Sequence, residues 1–344
     1  MVITRTPFRI SFFGGGTDYP EWFREHGGAV LSTAIDKYCY ISCRRLPPFF
    51  DHTHRIVYSR IENVRHIHEI RHPAVRAVME WMDIREGLEI HHDGDLPARS
   101  GIGSSSAFTV GLINGLRALQ GLETPADDLA ARAIEVEQRH IQEHVGSQDQ
   151  IAAAFGGFNC IRFERDESFR VTPVILPQTR MAELRSHLML FFTGKTRISS
   201  DIAKVTISNI RNRTHELHAL REMVDEAQQI LGDERTAISR FGMLVDESWA
   251  LKRRLSDAVT TPWIDDLYKA AKGEGAIGGK LLGAGGGGFL LFFAPPETHA
   301  AIRQRLRGLI QVPFEFDTDG SKVVFNQPQE GPDKELVTNQ HQWK

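Results

Sequence analysis

The chain is poor in cysteine, has no long apolar run and carries almost no net charge. Its three cysteines, Cys39, Cys43 and Cys160, are an odd, sparse set in 344 residues. That argues against a secreted disulfide scaffold, and their spacing matches no zinc pattern, so they read as buried thiols. The longest candidate apolar run, FLLFFA from Phe289, is far shorter than the ~18 residues a membrane helix needs. The stretch MVITRTPFRISFFGGG lacks the apolar segment of a secretory signal. A soluble, cytoplasmic protein without membrane partners is therefore expected. A formal net charge of -3 is not the footprint of a nucleic-acid binder. The sequence GxxxxGK[ST] is also missing, because Lys280 is followed by Leu281; this disfavours a P-loop nucleotidase. The histidines at 52, 54, 66, 68, 72, 91 and 92 carry no recognised ligand spacing, and a solvated or structural set is expected there.

The length suits two domains. Strand-like alternation marks VITRTPFRISFF and AIDKYCYISCRRL. Helices are expected over 72–83, from Ser104 to Leu119, from Asp127 to Gln142 and over 297–309. Strands are expected in GLEIHHDGDLP, FGGFNCIRF, FRVTPVIL, HLMLFFTG, GAIGGKLL, GGFLLFF, VPFEFD and KVVF. Between 200 and 272 the sequence turns helical. This order predicts an α+β protein divided into an N-terminal domain, 1–195, a C-terminal domain, 196–330, and a tail, 331–344, whose composition reads as disordered.

Glycine is in slight excess, and the excess is clustered. In PARSGIGSSSA the sequence Gly101-Ile102-Gly103-Ser104-Ser105-Ser106 opens an apolar helix. The unpaired amides and partial positive charge of a helix N-terminus favour a phosphate. Serine is also a good N-cap, but one cap would suffice. In LLGAGGGGF, Gly283, Gly285 and Gly288 form a GxGxxG that runs into a strand instead of opening a helix. A dinucleotide site is thereby disfavoured; a loop through Gly285, Gly286 and Gly287 that packs on the phosphate site is favoured. Glu137 shares a helical stripe with Ala130, Ala133, Ile134 and Ile141, which suits a magnesium ligand or a buried salt bridge equally. Asp149 reads as a helix cap or a general base. Arg9 occupies a strand position suited to an apolar residue. Gly14, Gly15, Gly16, Thr17 and Asp18 form either a sugar-reading loop or a glycine turn. Lys195 and Arg197, near a glycine and hydroxyls, suit an anion or an exposed loop.

Taken together, RISFFGGGTDY, PARSGIGSSSA and LLGAGGGGF resemble, in order, the three motifs of the GHMP kinase superfamily, which includes galactokinase, homoserine, mevalonate and phosphomevalonate kinases. The resemblance covers most of the chain. It implies a ribosomal-protein-S5-like N-terminal domain and a ferredoxin-like C-terminal domain with ATP between them. It also implies that Asp149 is the catalytic aspartate and that Arg9 orients it. Ser105 and Glu137 match ligands of Mg2+, and Asp18 a sugar contact. Galactokinases carry Glu-His where this chain has Gly15 and Gly16. GGGTDYPEW, SQDQIAAAFGG and TGKTRISS are closer to bacterial kinases of seven-carbon sugar phosphates, with fucokinase domains next. The expected partner is thus a small-molecule sugar phosphate, with Lys195 and Arg197 as the clamp for its distal phosphate; a homodimer is allowed.

Overall fold

The strand β1 (Val2–Phe13) alternates between buried and half-buried residues as far as Arg5 and is wholly buried from Thr6 onward. That pattern is what a strand shows when one end lies on a solvated face and the other is covered on both sides. Pro7 has no N–H to give to the ladder, and the register with β2 (Gly28–Arg45) shifts between Pro7 and Phe8. The computed structural model describes residues 1–195 and 199–327; the tail expected at 331–344 lies outside them.

The remaining strands are β3 (His54–Val57), β4 (Ile61–Val64), β5 (Leu88–Gly94), β6 (Phe158–Phe163), β7 (Phe169–Pro173), β8 (Leu188–Phe192), β9 (Gly278–Leu281), β10 (Phe289–Phe293), β11 (Ile310–Gln311), β12 (Phe316–Asp317) and β13 (Lys322–Asn326). A nine-stranded sheet follows the order β13-β1-β2-β5-β3-β4, and β2 is its hub. One edge of β2 pairs with β1 along its length. The other edge is shared by β6 at residues 28–33, β12 at 34–35 and β5 at 39–45. A second, four-stranded antiparallel sheet has the order β11-β8-β10-β9.

The helices are α1 (Pro20–His26), α2 (Pro73–Trp81), α3 (Ser104–Leu119), α4 (Ala126–Glu135), α5 (Gln148–Phe155), α6 (Gln178–Ser186), α7 (Ser199–Asn209), α8 (Thr214–Gly232), α9 (Ser239–Leu255), α10 (Pro262–Gly273) and α11 (His299–Arg305). α3 packs on β1 and β2, and α9 packs on β9. Aromatic rings join the two halves: Phe241 of α9 meets Phe12 and Phe13 of β1 at 5.6 and 5.2 Å and Phe293 of β10 at 5.9 Å between centroids. Among the described residues no helix is long and apolar enough to cross a membrane.

The α+β architecture and the 104–119 helix are as expected. The expected 127–142 helix is not: α4 stops at Glu135 and the backbone widens into a π-turn, Val136–His140, in which the Ile141 amide reaches back five residues to the Val136 carbonyl. The 297–309 helix is shortened to α11 behind a 3-10 turn. Sheet pairing also crosses the expected boundary at 195/196. β8, before it, belongs to the second sheet, whereas β12 and β13, far beyond it, complete the first. Local composition marks where helices crowd together, but strand pairing is a long-range choice.

Candidate active site

The glycine-serine segment lies where its composition predicts. Gly101 and Gly103 adopt left-handed backbone at φ +83° and +75°, Gly103 is the N-cap of α3, and Ser104 starts the helix. Ser104 Oγ accepts from the Arg99 amide at 3.0 Å. The carbonyl of buried Ile102 accepts from the Arg9 amide at 3.0 Å. The third glycine motif packs directly on this loop. A Cβ at Gly283 would lie 2.4 Å from the Gly101 Cα, and one at Gly288 would lie 2.1 Å from the Ser100 carbonyl oxygen. Gly285, Gly286 and Gly287, the positions favoured from sequence, sit one step back. Gly285 abuts Val259, Gly286 donates to the Val259 carbonyl, and Gly287 abuts Lys195.

Arg9 of β1 reaches across the same loop to Asp149, in the first turn of α5. Its Nε and Nη2 donate to the two Asp149 carboxylate oxygens at 2.7 and 2.8 Å, and Nη1 donates to the Gly101 carbonyl at 2.7 Å. A two-toothed guanidinium–carboxylate pair fixes orientation as well as position. The Asp149 side chain keeps 26% of its surface exposed. Each of its oxygens retains a lone pair at a cleft lined by Arg9, Gly15, Gly16, Asp18, Gly101 and the serines.

Asp18 lines the cleft beside Asp149. Gly16 N–H and Gln148 Nε2 each donate to it at 2.9 Å. Burial raises its carboxyl above the ordinary value, and the Asp149 charge adds to the rise. Gly15 and Gly16 offer bare backbone. Gly14 and Thr17, expected in the same role, instead build the turn. A Cβ at Gly14 would fall 1.8 Å from the Ala29 carbonyl oxygen. Thr17 is fully buried, its hydroxyl within 2.8 and 2.9 Å of the Gly14 and Ala29 carbonyls and accepting from the Ala29 amide at 3.1 Å. Thr17→Val strands these groups. It should cost about 1–3 kcal/mol in denaturant unfolding, and an unchanged midpoint would refute the assignment.

Glu137, placed by the π-turn, is fully buried. The serine hydroxyl that bonds it is Ser106, at 2.9 Å, and the Thr109 hydroxyl also acts on it, whereas Ser105 is exposed on the cleft. Successive helix residues diverge by about 100°, so one serine turns inward and its neighbour outward. Gln150 Nε2 also donates to Glu137 Oε2. Oε1 is buried without a partner among the described residues. A spare buried carboxylate oxygen beside a hydroxyl fits magnesium, which takes such oxygens together with phosphates and water. Among the described residues no group of three His, Cys, Asp or Glu side chains could hold a metal, so phosphates and water would have to complete the shell.

Burial lifts the Glu137 carboxyl from 4.5 to about 7, against the hydrogen bonds it accepts. The folded chain therefore binds this proton more tightly than the unfolded chain, and stability falls as pH rises through that interval. Glu137→Gln should be more stable than the parent at pH 8 and not at pH 4.5. Thermal unfolding at the two pH values checks this; an equal difference at both would refute it.

Two cleft residues carried no signal as site residues. Lys252 of α9 donates to the Leu281 and Gly283 carbonyls, and Lys280 of β9 donates to the Phe12 carbonyl at 2.7 Å. Burial lowers the Lys252 ammonium to about 7, with Arg9 adding, and holds Lys280 well below the ordinary lysine range, with Lys252 and Arg9 adding. A lysine in GGKLL and one in LKRRL look like a strand edge and a solvated helix end. By contrast, Lys195 is not at the cleft: its ammonium lies 4.6 Å over the Trp263 ring, a cation–π contact that holds it away. Arg197 lies outside the described residues.

Comparison with known proteins places this geometry in context. The GHMP kinases N terminal domain matches residues 67–157 and the GHMP kinases C terminal domain matches 214–308. A D-glycero-alpha-D-manno-heptose 7-phosphate kinase from Campylobacter jejuni is 28% identical over 93% of this chain and 97% of its own. A bifunctional fucokinase/GDP-fucose pyrophosphorylase from Arabidopsis thaliana is 24% identical over 87% of this chain, which spans 30% of that longer protein. The crystal structure of a D-glycero-D-manno-heptose 1-phosphate kinase from Bacteroides thetaiotaomicron shares the fold, with a TM-score of 0.77 at 21% identity over 95% of this chain and 100% of that one.

Proposed function

Since the chain belongs to the GHMP kinase family, whose members use ATP, generally with Mg2+, we propose that it is a sugar kinase that phosphorylates the anomeric hydroxyl of D-glycero-α-D-manno-heptose 7-phosphate. The product is the 1,7-bisphosphate, a cytoplasmic precursor of nucleotide-activated heptose. The observation that carries this reading is the Arg9–Asp149 pair, which binds the Gly101 carbonyl and so sets one carboxylate at the mouth of a phosphate-binding loop. The Campylobacter relative, similar from end to end, supports the choice of sugar.

In this reading the free amides of the first turn of α3, together with Gly101 and Gly103, receive the ATP phosphates. Asp149 accepts the proton of the attacking hydroxyl. Arg9 fixes both oxygens of that carboxylate, so no torsion is left to search. Asp18, held by Gly16 and Gln148, orients the sugar hydroxyls. Bound magnesium would neutralise phosphate charge, held by Glu137 with the serines at 105 and 106. Phosphoryl transfer needs chiefly positioning and charge neutralisation, and these residues supply both.

Phosphorus NMR with Mg-ATP and, separately, heptose 7-phosphate, mannose and fucose tests the reading. A new anomeric phosphate only with heptose 7-phosphate is the expected result. A signal with a free sugar keeps the kinase and replaces the acceptor; no signal with any of them removes the sugar-kinase reading.

A further inference from the structure

Arg9, Lys252 and Lys280 share the cleft with Asp18 and Asp149. Arg9 is matched by Asp149. Neither lysine has a carboxylate within ion-pair distance among the described residues. Both spend their bonds on backbone carbonyls. With Arg99 and Glu143, which line the same cleft, the formal count is four cationic side chains against three carboxylates. An ammonium buried without a counter-charge is costly, and charge-assisted bonds to backbone carbonyls offset only part of that cost.

The two lysines differ in access. Lys280 is 4% exposed. Lys252 is half-buried and lines the cleft. It has three N–H donors, of which the Leu281 and Gly283 carbonyls take two. Its place is on the acceptor side: Leu255, one turn further along α9, lies 3.5 Å from where a Gly16 Cβ would be. The charged groups acting on it are Arg9 from β1, Asp18 from the loop after β1 and Lys280 from β9.

We infer that Lys252 binds a phosphate group of the ligand, donating its remaining N–H and supplying the charge that the cleft carries in excess. The inference rests on the kinase reading above. It gives that reading the phosphate contact that Lys195, stacked on Trp263, does not provide. The phosphate has two possible sources, the sugar phosphate and the terminal group of ATP.

The test uses the unaltered full chain. A small acylating reagent is applied near pH 7, and modification of Lys252 is followed by peptide mass spectrometry. Protection is measured with inorganic phosphate, heptose 7-phosphate, Mg-ATP and mannose. Slowing by inorganic phosphate and heptose 7-phosphate, with none by mannose, is expected and assigns the sugar phosphate. Slowing by phosphate and Mg-ATP alone supports the contact and assigns the nucleotide. Labelling unchanged by any phosphate compound at concentrations that saturate turnover overturns the inference while leaving the kinase intact. Protection by phosphate in a protein that phosphorylates no sugar would instead remove the kinase reading and keep the contact. As a second measurement, Lys252→Met should raise KM for the phosphate-bearing substrate about ten- to a hundredfold, the worth of one charge-assisted hydrogen bond. Lys252→Arg should restore part of it. An equal rise in both KM values with a lowered Tm would leave Lys252 as a brace for the glycine loop and overturn the inference.

Discussion

Asp149→Ala should lower turnover about 10²- to 10⁴-fold, the usual range for a positioned general base, with ATP binding retained. The effect on stability is separable from the effect on rate. Alanine leaves the Arg9 guanidinium, only 5% exposed, with the Gly101 carbonyl as its remaining partner, so some loss of Tm is expected. Asp149→Asn keeps an acceptor oxygen for Arg9 but cannot take a proton at neutral pH. If both variants lose turnover and only alanine loses stability, proton acceptance and bracing are two distinct jobs of one side chain. Near-normal turnover in the asparagine variant would take Asp149 out of the chemistry. Single-turnover kinetics with titrated nucleotide binding makes the distinction.

Gly283→Ala should be nearly as damaging, although the residue touches no substrate in the proposed mechanism. Its φ is +69°, and its Cβ would stand 2.4 Å from the Gly101 Cα. The left-handed conformation alone costs about 1–2 kcal/mol for a residue with a side chain. The obstacle is backbone, which cannot rotate aside, so the two loops must part. A displacement of about 1 Å in a positioning element can cost on the order of 10²-fold in rate. The expected result is a lower Tm together with a turnover loss of that size. Gly232→Ala is the control: nothing lies within 4 Å of its Cβ and its φ is not positive, so it should be neutral or slightly stabilising. Equal behaviour of the two variants would show that the contact between the glycine loops is incidental.

Legibility followed chemical locality. The glycine-serine loop and the start of α3 at Ser104 could be read from composition, because glycine and serine have few other reasons to cluster ahead of an apolar helix. The Arg9–Asp149 pair could not. Its members are 140 residues apart, and only the resemblance to a family suggested that they meet. The Ser106–Glu137 hydrogen bond was not legible either, because which of three consecutive serines turns inward depends on helix phase. Lys252 and Lys280 escaped because their value lies in what surrounds them, and desolvation leaves no mark on a sequence. The π-turn that brings Glu137 to Ser106 was hidden for a related reason: a 3.6-residue period was assumed to continue where the chain inserts one more residue.

The pairing of β13 with β1, Val2 against Asn326, bears on how the protein is made. The edge of β1 at Val2–Arg5 gains its partner only when β13, more than 300 residues later in the chain, has been synthesised. At about 5–20 residues per second that interval is roughly 15–60 s. During it the edge of Val2–Arg5 lacks the strand that pairs with it. Slowing elongation lengthens that interval and should lower soluble yield.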